Sequence, residues 1–174
     1  MPTKVVIIDD DRFQVKHYVR ALSEAGFEVE LITNTSKLAP IIKGDMHQDA
    51  SFFIVDMMMP PGTIYEKAET CDGEYTGLFV LRDLRRKFPV IPIILWTCAH
   101  IERNLEEAKR QAAATNICHY VRKTNLSPSL LVSELNYYLE KGRFRPQIGK
   151  FLWKAVRIGG HILGVGADIK TLGV

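Results

Sequence analysis

Short apolar runs and helically spaced apolar positions take turns along the chain. Lys4–Ile8 (KVVII) is a β-branched apolar run of the kind that forms a buried strand. Over residues 13–25, Phe13, Val15, Tyr18, Val19, Leu22 and Ala25 fall at roughly helical spacing, with Gly26 placed as a stop. Residues 27–33 alternate (Phe27, Val29, Leu31), as a strand nearer a sheet edge does. Thr35 and Ser36 can cap a short helix through Lys43, with Pro40 in its first turn or distorting it. Phe52, Phe53, Ile54 and Val55 then run without a break to a single carboxylate, Asp56. The methionines and prolines that follow cannot continue a central strand. Residues 77–88 resume helical spacing through Leu78, Val80 or Leu81, and Leu84, until Pro89. Residues 91–96 read as a fourth strand, 101–114 as an Ala- and Glu-rich helix, 117–120 as a fifth strand, and 129–140 as an amphipathic helix ended by Gly142.

Continuous apolar strands alternating with helices specify a three-layer α/β domain with a parallel sheet. Right-handed crossovers restrict its topology, and the common doubly wound, flavodoxin-like order for five strands is 2-1-3-4-5. Strands one, three and four, the most apolar, are expected at the centre. This domain is predicted over residues 1–141. Within it, residues 60–76 (PPGTIYEKAETCDGEYT) have no period, and a loop of that length inside a compact domain is often functional.

Residues 142–174 differ in character and form a basic amphipathic tail. Ile148, Phe151, Leu152, Ala155 and Val156 recur at helical spacing among Lys150, Lys154 and Arg157. After Gly159 and Gly160, the positions Leu163, Val165, Ala167 and Ile169 alternate as a short strand would. The tail carries six Lys/Arg and one Asp, so the net charge of +3 divides into +5 there and −2 over the remainder. Such a segment has three destinations: its own domain, a partner's groove, or an anionic membrane surface. Its basic residues are interleaved with aliphatic ones rather than base-stacking aromatics, which argues against nucleic acid.

Composition changes the picture little. Hydrophobic content of 47% and charged content of 25% are those of a soluble globular protein. Cys71, Cys98 and Cys118 are odd in number and show neither CxxC nor metal-ligand spacing, so reduced thiols are expected rather than a disulfide framework. The start of the sequence runs straight into a strand pattern without a signal-type apolar region, and no stretch approaches the ~20 apolar residues of a membrane span. The expected location is cytoplasmic.

Candidate chemistry lies just past the strands. Open parallel sheets place their sites beyond the carboxyl ends of the strands. Strand one is followed by Asp9, Asp10 and Asp11, strand three ends at Asp56, strand four runs into Thr97, and strand five is closely followed by Lys123. Phosphoryl transfer to a carboxylate needs a nucleophilic oxygen, a divalent cation and fixed donors to the phosphoryl oxygens. Asp56 supplies the first. Asp9 and Asp10 are hard oxygen ligands suited to Mg²⁺. Lys123 and Thr97 supply an ammonium and a hydroxyl. Each piece alone is weak, since an acidic pair after a strand is often a solvated turn or a helix cap. All four at successive strand ends make a specific pattern.

The motifs VVIIDDD, FFIVDMMMP, IILWTCA and HYVRK resemble those of the receiver domain of bacterial two-component response regulators. The resemblance implies that Asp56 is the phosphoacceptor, that Asp10 binds Mg²⁺ directly and Asp9 chiefly through water, and that the Met58 carbonyl completes the protein's metal ligands. It implies that Thr97 is the switch hydroxyl, Lys123 the phosphate-binding lysine, and Tyr120 the switch aromatic that turns inward on phosphorylation. A sensor histidine kinase or phosphotransfer protein would be the donor. Such a protein catalyses only its own Mg²⁺-dependent phosphorylation and dephosphorylation. With no output domain recognisable, it would signal by protein contact, through the tail or the last strand–helix face. Two departures stand out. Thr124 follows the lysine where receivers usually have proline. The loop after the phosphoacceptor is several times the usual length, and TCDGEYTGLFVLRDLR resembles a subgroup with an extended MMPPG…TG segment. Glu66, Glu69, Asp72 and Glu74 make this loop acidic, so it is a candidate lid or kinase-docking element as well as a surface insertion.

Two other readings compete. Asp9 and Asp11 form the DxD of a haloacid-dehalogenase-type Mg²⁺-dependent phosphatase, but Phe13 stands where that family has Thr or Val, and Thr124–Ser133 hold none of its carboxylates. A pseudo-receiver scaffold, never phosphorylated, would not need the full set of site residues.

Overall fold

A computed structural model describes residues 2–98 and 118–144. In it, the apolar runs form five strands: β1 (Lys4–Ile8), β2 (Glu28–Ile32), β3 (Ala50–Asp56), β4 (Ile93–Thr97) and β5 (Cys118–Arg122). All pair in parallel, in the order β2-β1-β3-β4-β5. The expected order 2-1-3-4-5 is therefore the observed one, with the most apolar strands innermost. Every side chain from Val5 to Ile8 and from Phe53 to Val55 is fully buried, as are Ile93, Ile94, Leu95 and Trp96. Each such aliphatic or aromatic side chain contributes roughly 1.5–3 kcal/mol by leaving water. The edge strand β2 keeps only Ile32 buried, which matches its alternating sequence.

Four described helices accompany the sheet: α1 (Arg12–Glu24), α2 (Ala39–Lys43), α3 (Thr76–Lys87) and α4 (Pro128–Lys141). The helix expected at 101–114 lies outside the described residues, as does the tail beyond Phe144. The chain divides into two units after Arg143. α4 begins behind Ser127, whose hydroxyl accepts from the Leu130 amide, and ends at Gly142. The capping expected of Thr35 and Ser36 falls instead to Asn34. Its side chain accepts from the Ser36 amide at 2.8 Å and starts a 3-10 turn, Thr35–Leu38, that leads into α2. Thr35 and Ser36 have a different use. They hold the long loop.

That loop is anchored to the rest of the domain. Thr35 Oγ1 donates to the Pro60 carbonyl at 2.7 Å, and the Thr63 amide donates to Ser36 Oγ at 3.1 Å. Gly62, with a φ of +65°, packs so closely that a Cβ would strike Thr35 Oγ1 and lie 2.7 Å from Ser36 Oγ. Farther along, buried Tyr65 sets its ring 5.8 Å from that of Phe79 and donates its hydroxyl to Asp83 Oδ2 at 3.2 Å. The Met59 amide donates to the Gly73 carbonyl and closes the loop on itself. Glu66, Glu69 and Asp72 remain exposed on its outer side.

Candidate functional site

Register alone brings the sequence-predicted residues together. Ile8 pairs with Val55 and Asp56 with Trp96, so Asp9 and Asp56 emerge level at the ends of adjacent central strands. Thr97 pairs with Arg122, one residue before Lys123. Asp9 is fully buried, Asp56 is 6% exposed, Thr97 is fully buried and Lys123 is 7% exposed. Asp10 is exposed at the mouth. Carboxylate oxygens of Asp9, Asp10 and Asp56 lie within 4.8 Å of one another.

The third acidic residue has a separate task. Asp11 is the N-cap of α1, and its Oδ1 accepts from the amides of Phe13 and Gln14 at 3.0 and 2.9 Å. It acts as a structural cap. The Asp11 amide in turn donates to Asp9 Oδ1 at 3.0 Å and orients that carboxylate.

Three acidic groups this close would repel strongly without a cation. The protein itself supplies one in Lys123. Its Nζ lies 2.8 Å from Asp9 Oδ2 and 3.1 Å from Asp56 Oδ2, and 5.2 Å from the centre of the Trp96 ring. It also donates to Gln14 Oε1 at 2.9 Å. Gln14 was not among the sequence-predicted residues. It is a polar position in the first turn of an amphipathic helix, where spacing carries no signal of a contact more than a hundred residues away.

Burial raises the Asp56 carboxyl to about 6, against the opposing pull of Lys123, and the charge of Asp9 pushes it the same way as burial. Burial likewise raises Asp9, again opposed by Lys123. The Lys123 ammonium is raised despite its own burial, by the charges of Asp56 and Asp9. Proton and ammonium therefore compete to neutralise the pair.

The donor set suits a hard divalent cation. Asp56 Oδ1 is buried and accepts no well-directed hydrogen bond among the described residues, an arrangement that costs energy unless something else binds there. The exposed Asp10 carboxylate lies within ligand reach of it, leaving the outer side open to water, as Mg²⁺ prefers. Met58, two residues beyond Asp56, is partly exposed between Met57, whose carbonyl accepts from the Gly77 amide, and the loop-closing Met59. Tyr120 is 7% exposed and belongs to the core cluster.

No protein-family model and no curated protein matches the sequence. Solved structures do. The response regulator DrrB of Thermotoga maritima aligns at a TM-score of 0.60 and 17% identity, over 83% of this chain and 55% of its own. A CheY-like receiver domain protein from Methanospirillum hungatei gives 0.60 and 17%, over 81% of this chain and 96% of its own. The non-phosphorylated receiver domain of the stress response regulator RcsB from Escherichia coli gives 0.59 and 23%, over 83% and 97%. The fold is that of a receiver domain. This chain spans about half the length of DrrB, whereas it spans nearly all of the isolated receiver domains. At these identities the likeness carries the fold alone, and the chemistry rests on the site residues.

Proposed function

We propose that this protein is a receiver-type response regulator that accepts a phosphoryl group on Asp56 from a sensor histidine kinase or a phosphotransfer protein. The observation that carries the reading is the joint contact of the Lys123 ammonium with Asp9 and Asp56, beside a buried Asp56 Oδ1 that accepts no well-directed hydrogen bond among the described residues. Asp10 and Asp56 would hold Mg²⁺ directly, Asp9 chiefly through water, with the Met58 carbonyl as the remaining protein ligand. Bound Mg²⁺ neutralises charge on the phosphoryl oxygens.

The protein's own groups do the rest. Asp56 is held at the strand end by the β3–β4 ladder, and its carboxylate oxygen attacks phosphorus. The new O–P bond forms as the bond from phosphorus to the donor's leaving atom breaks, and that atom keeps the electron pair. Lys123 exchanges its contact with Asp56 Oδ2 for a phosphoryl oxygen. Thr97, buried at the neighbouring strand end, donates its hydroxyl to another. Attack by water later releases inorganic phosphate and restores the carboxylate. The extended loop supports assignment to the long-loop subgroup, and the output passes to a protein partner in the cytoplasm. No helix of the described residues is long and apolar enough to cross a membrane.

Incubation with acetyl phosphate and Mg²⁺ tests the reading. One base-labile phosphoryl group is expected on the wild-type protein and none on Asp56→Asn. Undiminished labelling of that variant moves the phosphoacceptor elsewhere. Absence of labelling in the wild type, from acetyl phosphate and from every kinase of its own cell, leaves only the scaffold reading.

A further inference from the structure

We propose that Gln14 and Tyr18, one helical turn apart on α1, form a clamp that positions Lys123 for its phosphoryl contact. The inference rests on the phosphoacceptor reading above and adds to it two residues that neither the strand ends nor the receiver resemblance supplies.

The clamp has two arms. Gln14 Oε1 accepts from Lys123 Nζ at 2.9 Å. The Tyr18 hydroxyl reaches the backbone of the same turn, donating to the Leu126 carbonyl at 2.6 Å and lying 3.4 Å from the Lys123 carbonyl. Residues four apart on a helix share a face, so one element grips the lysine at its head and at its root. The Tyr18 ring also stands edge-on to Trp96 at 5.1 Å, and the Lys123 ammonium lies over that same Trp96. Asp11 fixes the origin of the clamp, because its cap bond to the Gln14 amide sets where the first turn begins.

The need for a clamp follows from the charges. An ammonium has three donors, and here they face Asp9, Asp56 and Gln14. Two of these acceptors change during the reaction. Asp56 becomes the phosphorylated group, and Asp9 is drawn towards the divalent cation. The neutral amide oxygen of Gln14 is the one acceptor whose charge stays constant, so it can hold the ammonium in place while the other two exchange. The root of the lysine needs holding as well. The 3-10 turn Lys123–Asn125 carries Thr124 where a proline would restrict the backbone, and the turn's own bond, Leu126 amide to Lys123 carbonyl, is 3.2 Å long. The Tyr18 hydroxyl supplies a restraint that the missing proline does not.

Gln14 also accepts from the Cys98 thiol at 3.6 Å. Cys98 follows Thr97 directly, so the same amide oxygen touches groups from the ends of β4 and β5. The clamp is positioned to register both the switch hydroxyl's strand and the lysine's.

The test compares acetyl phosphate labelling rates and Mg²⁺ affinity, the latter by calorimetry, in the full-length protein. Gln14→Met keeps the side-chain length without the acceptor, and it should slow labelling roughly tenfold, as loss of a hydrogen bond to a charged group does. Gln14→Glu restores an oxygen at the same reach and should recover most of that loss. Tyr18→Phe, which removes only the hydroxyl, should slow labelling several-fold. Mg²⁺ affinity should stay at the wild-type value in Gln14→Met and Tyr18→Phe, because neither residue is a ligand, and should rise in Gln14→Glu, whose added charge attracts the cation. The clamp is overturned if Gln14→Met and Tyr18→Phe label like wild type, if Gln14→Glu is as slow as Gln14→Met, or if Mg²⁺ affinity falls in step with the rate. A wild-type protein that cannot be labelled at Asp56 instead refutes the underlying reading.

Discussion

Gly77 and Asp56 are packed backbone against backbone. A Cβ at position 77 would strike the Asp56 carbonyl oxygen and lie 2.5 Å from Met57 Cα, while the Gly77 amide donates to the Met57 carbonyl at 2.9 Å. The start of α3 is thus seated on the end of β3, directly behind the proposed nucleophile. Gly77→Ala must push the helix or the strand end aside. Overpacking of this kind costs about 1–3 kcal/mol. Urea unfolding should show that loss, and the labelling rate of Asp56 should fall with it. A variant with wild-type stability and rate would mean that the backbone here yields freely.

Asp56 also makes stability depend on pH. Its carboxyl is raised from 3.8 to about 6 in the folded protein, so between those values the folded state binds more protons than the unfolded one. Stability without metal is therefore greatest below the lower value and falls as pH rises through the window, by up to about 3 kcal/mol at 1.36 kcal/mol per unit. Asp9, raised by the same burial, acts in the same direction. Asp56→Asn should remove the fall due to Asp56. The apo variant is then more stable than apo wild type at pH 7, and the two converge towards pH 4. Equal stabilities at pH 7 would place the Asp56 carboxyl in the ordinary range.

The same proton links to the metal. Mg²⁺ must displace whatever proton Asp56 holds, so binding near pH 6 should release a fraction of a proton that shrinks towards pH 8. Calorimetry in buffers of different ionisation enthalpy measures it. Trp96 offers an optical signal, since the ammonium 5.2 Å from its ring must shift when the carboxylates take up a cation. In a Trp153→Phe background, Mg²⁺ should change Trp96 fluorescence, and Asp10→Ala should weaken that response. Proton release that stays constant across this range would separate Asp56 from the metal site.

The sheet was legible because its central strands β1, β3 and β4 are apolar on both faces and each stops at a polar residue. Register then needed no further information, since parallel pairing of such strands brings Asp9, Asp56, Thr97 and Lys123 to one edge. The roles of Asp11 and Asn34 were less legible. A carboxylate or amide before a helix reads equally as a cap or a ligand, and only the placement of its oxygen decides. Gln14, Tyr18 and Gly77 carried no readable signal. Their significance is a close approach across the fold, and periodicity reports only which face a residue occupies. The loop was recognisable as long and irregular, but its bonds to Thr35 and Ser36 join parts of the chain far apart in sequence.

Those bonds make the loop a pinned element with an outward acidic side. Tyr65→Ala removes a ring packed on Phe79 and a hydroxyl bonded to Asp83. It should destabilise the protein by roughly 3 kcal/mol, as large-to-small changes at buried aromatics do. Tyr65 packs on Phe79 and Asp83 of α3 and touches none of the proposed site residues, so labelling of the folded variant should stay at the wild-type rate. If labelling also collapses, the loop is part of the reacting site.

The basic tail bears on output. Its apolar positions Ile148, Phe151, Leu152, Ala155 and Val156 share one side of a helically spaced segment, and Lys150, Lys154 and Arg157 lie largely around the other. The alternating run from Leu163 to Ile169 is suited to adding a strand to another protein's sheet edge. A protein partner is therefore favoured over a membrane surface, for which the apolar side is short and Trp153 is the only residue resembling an interfacial anchor. Deleting residues 144–174 leaves the unit Met1–Arg143, which contains every proposed site residue. The truncated protein should be labelled on Asp56 at the wild-type rate, and it should fail to recover the partner that full-length phosphorylated protein recovers from its own cell. Recovery of the same partner in equal amount would place the output surface on the receiver, where the last strand–helix face is the next site to mutate.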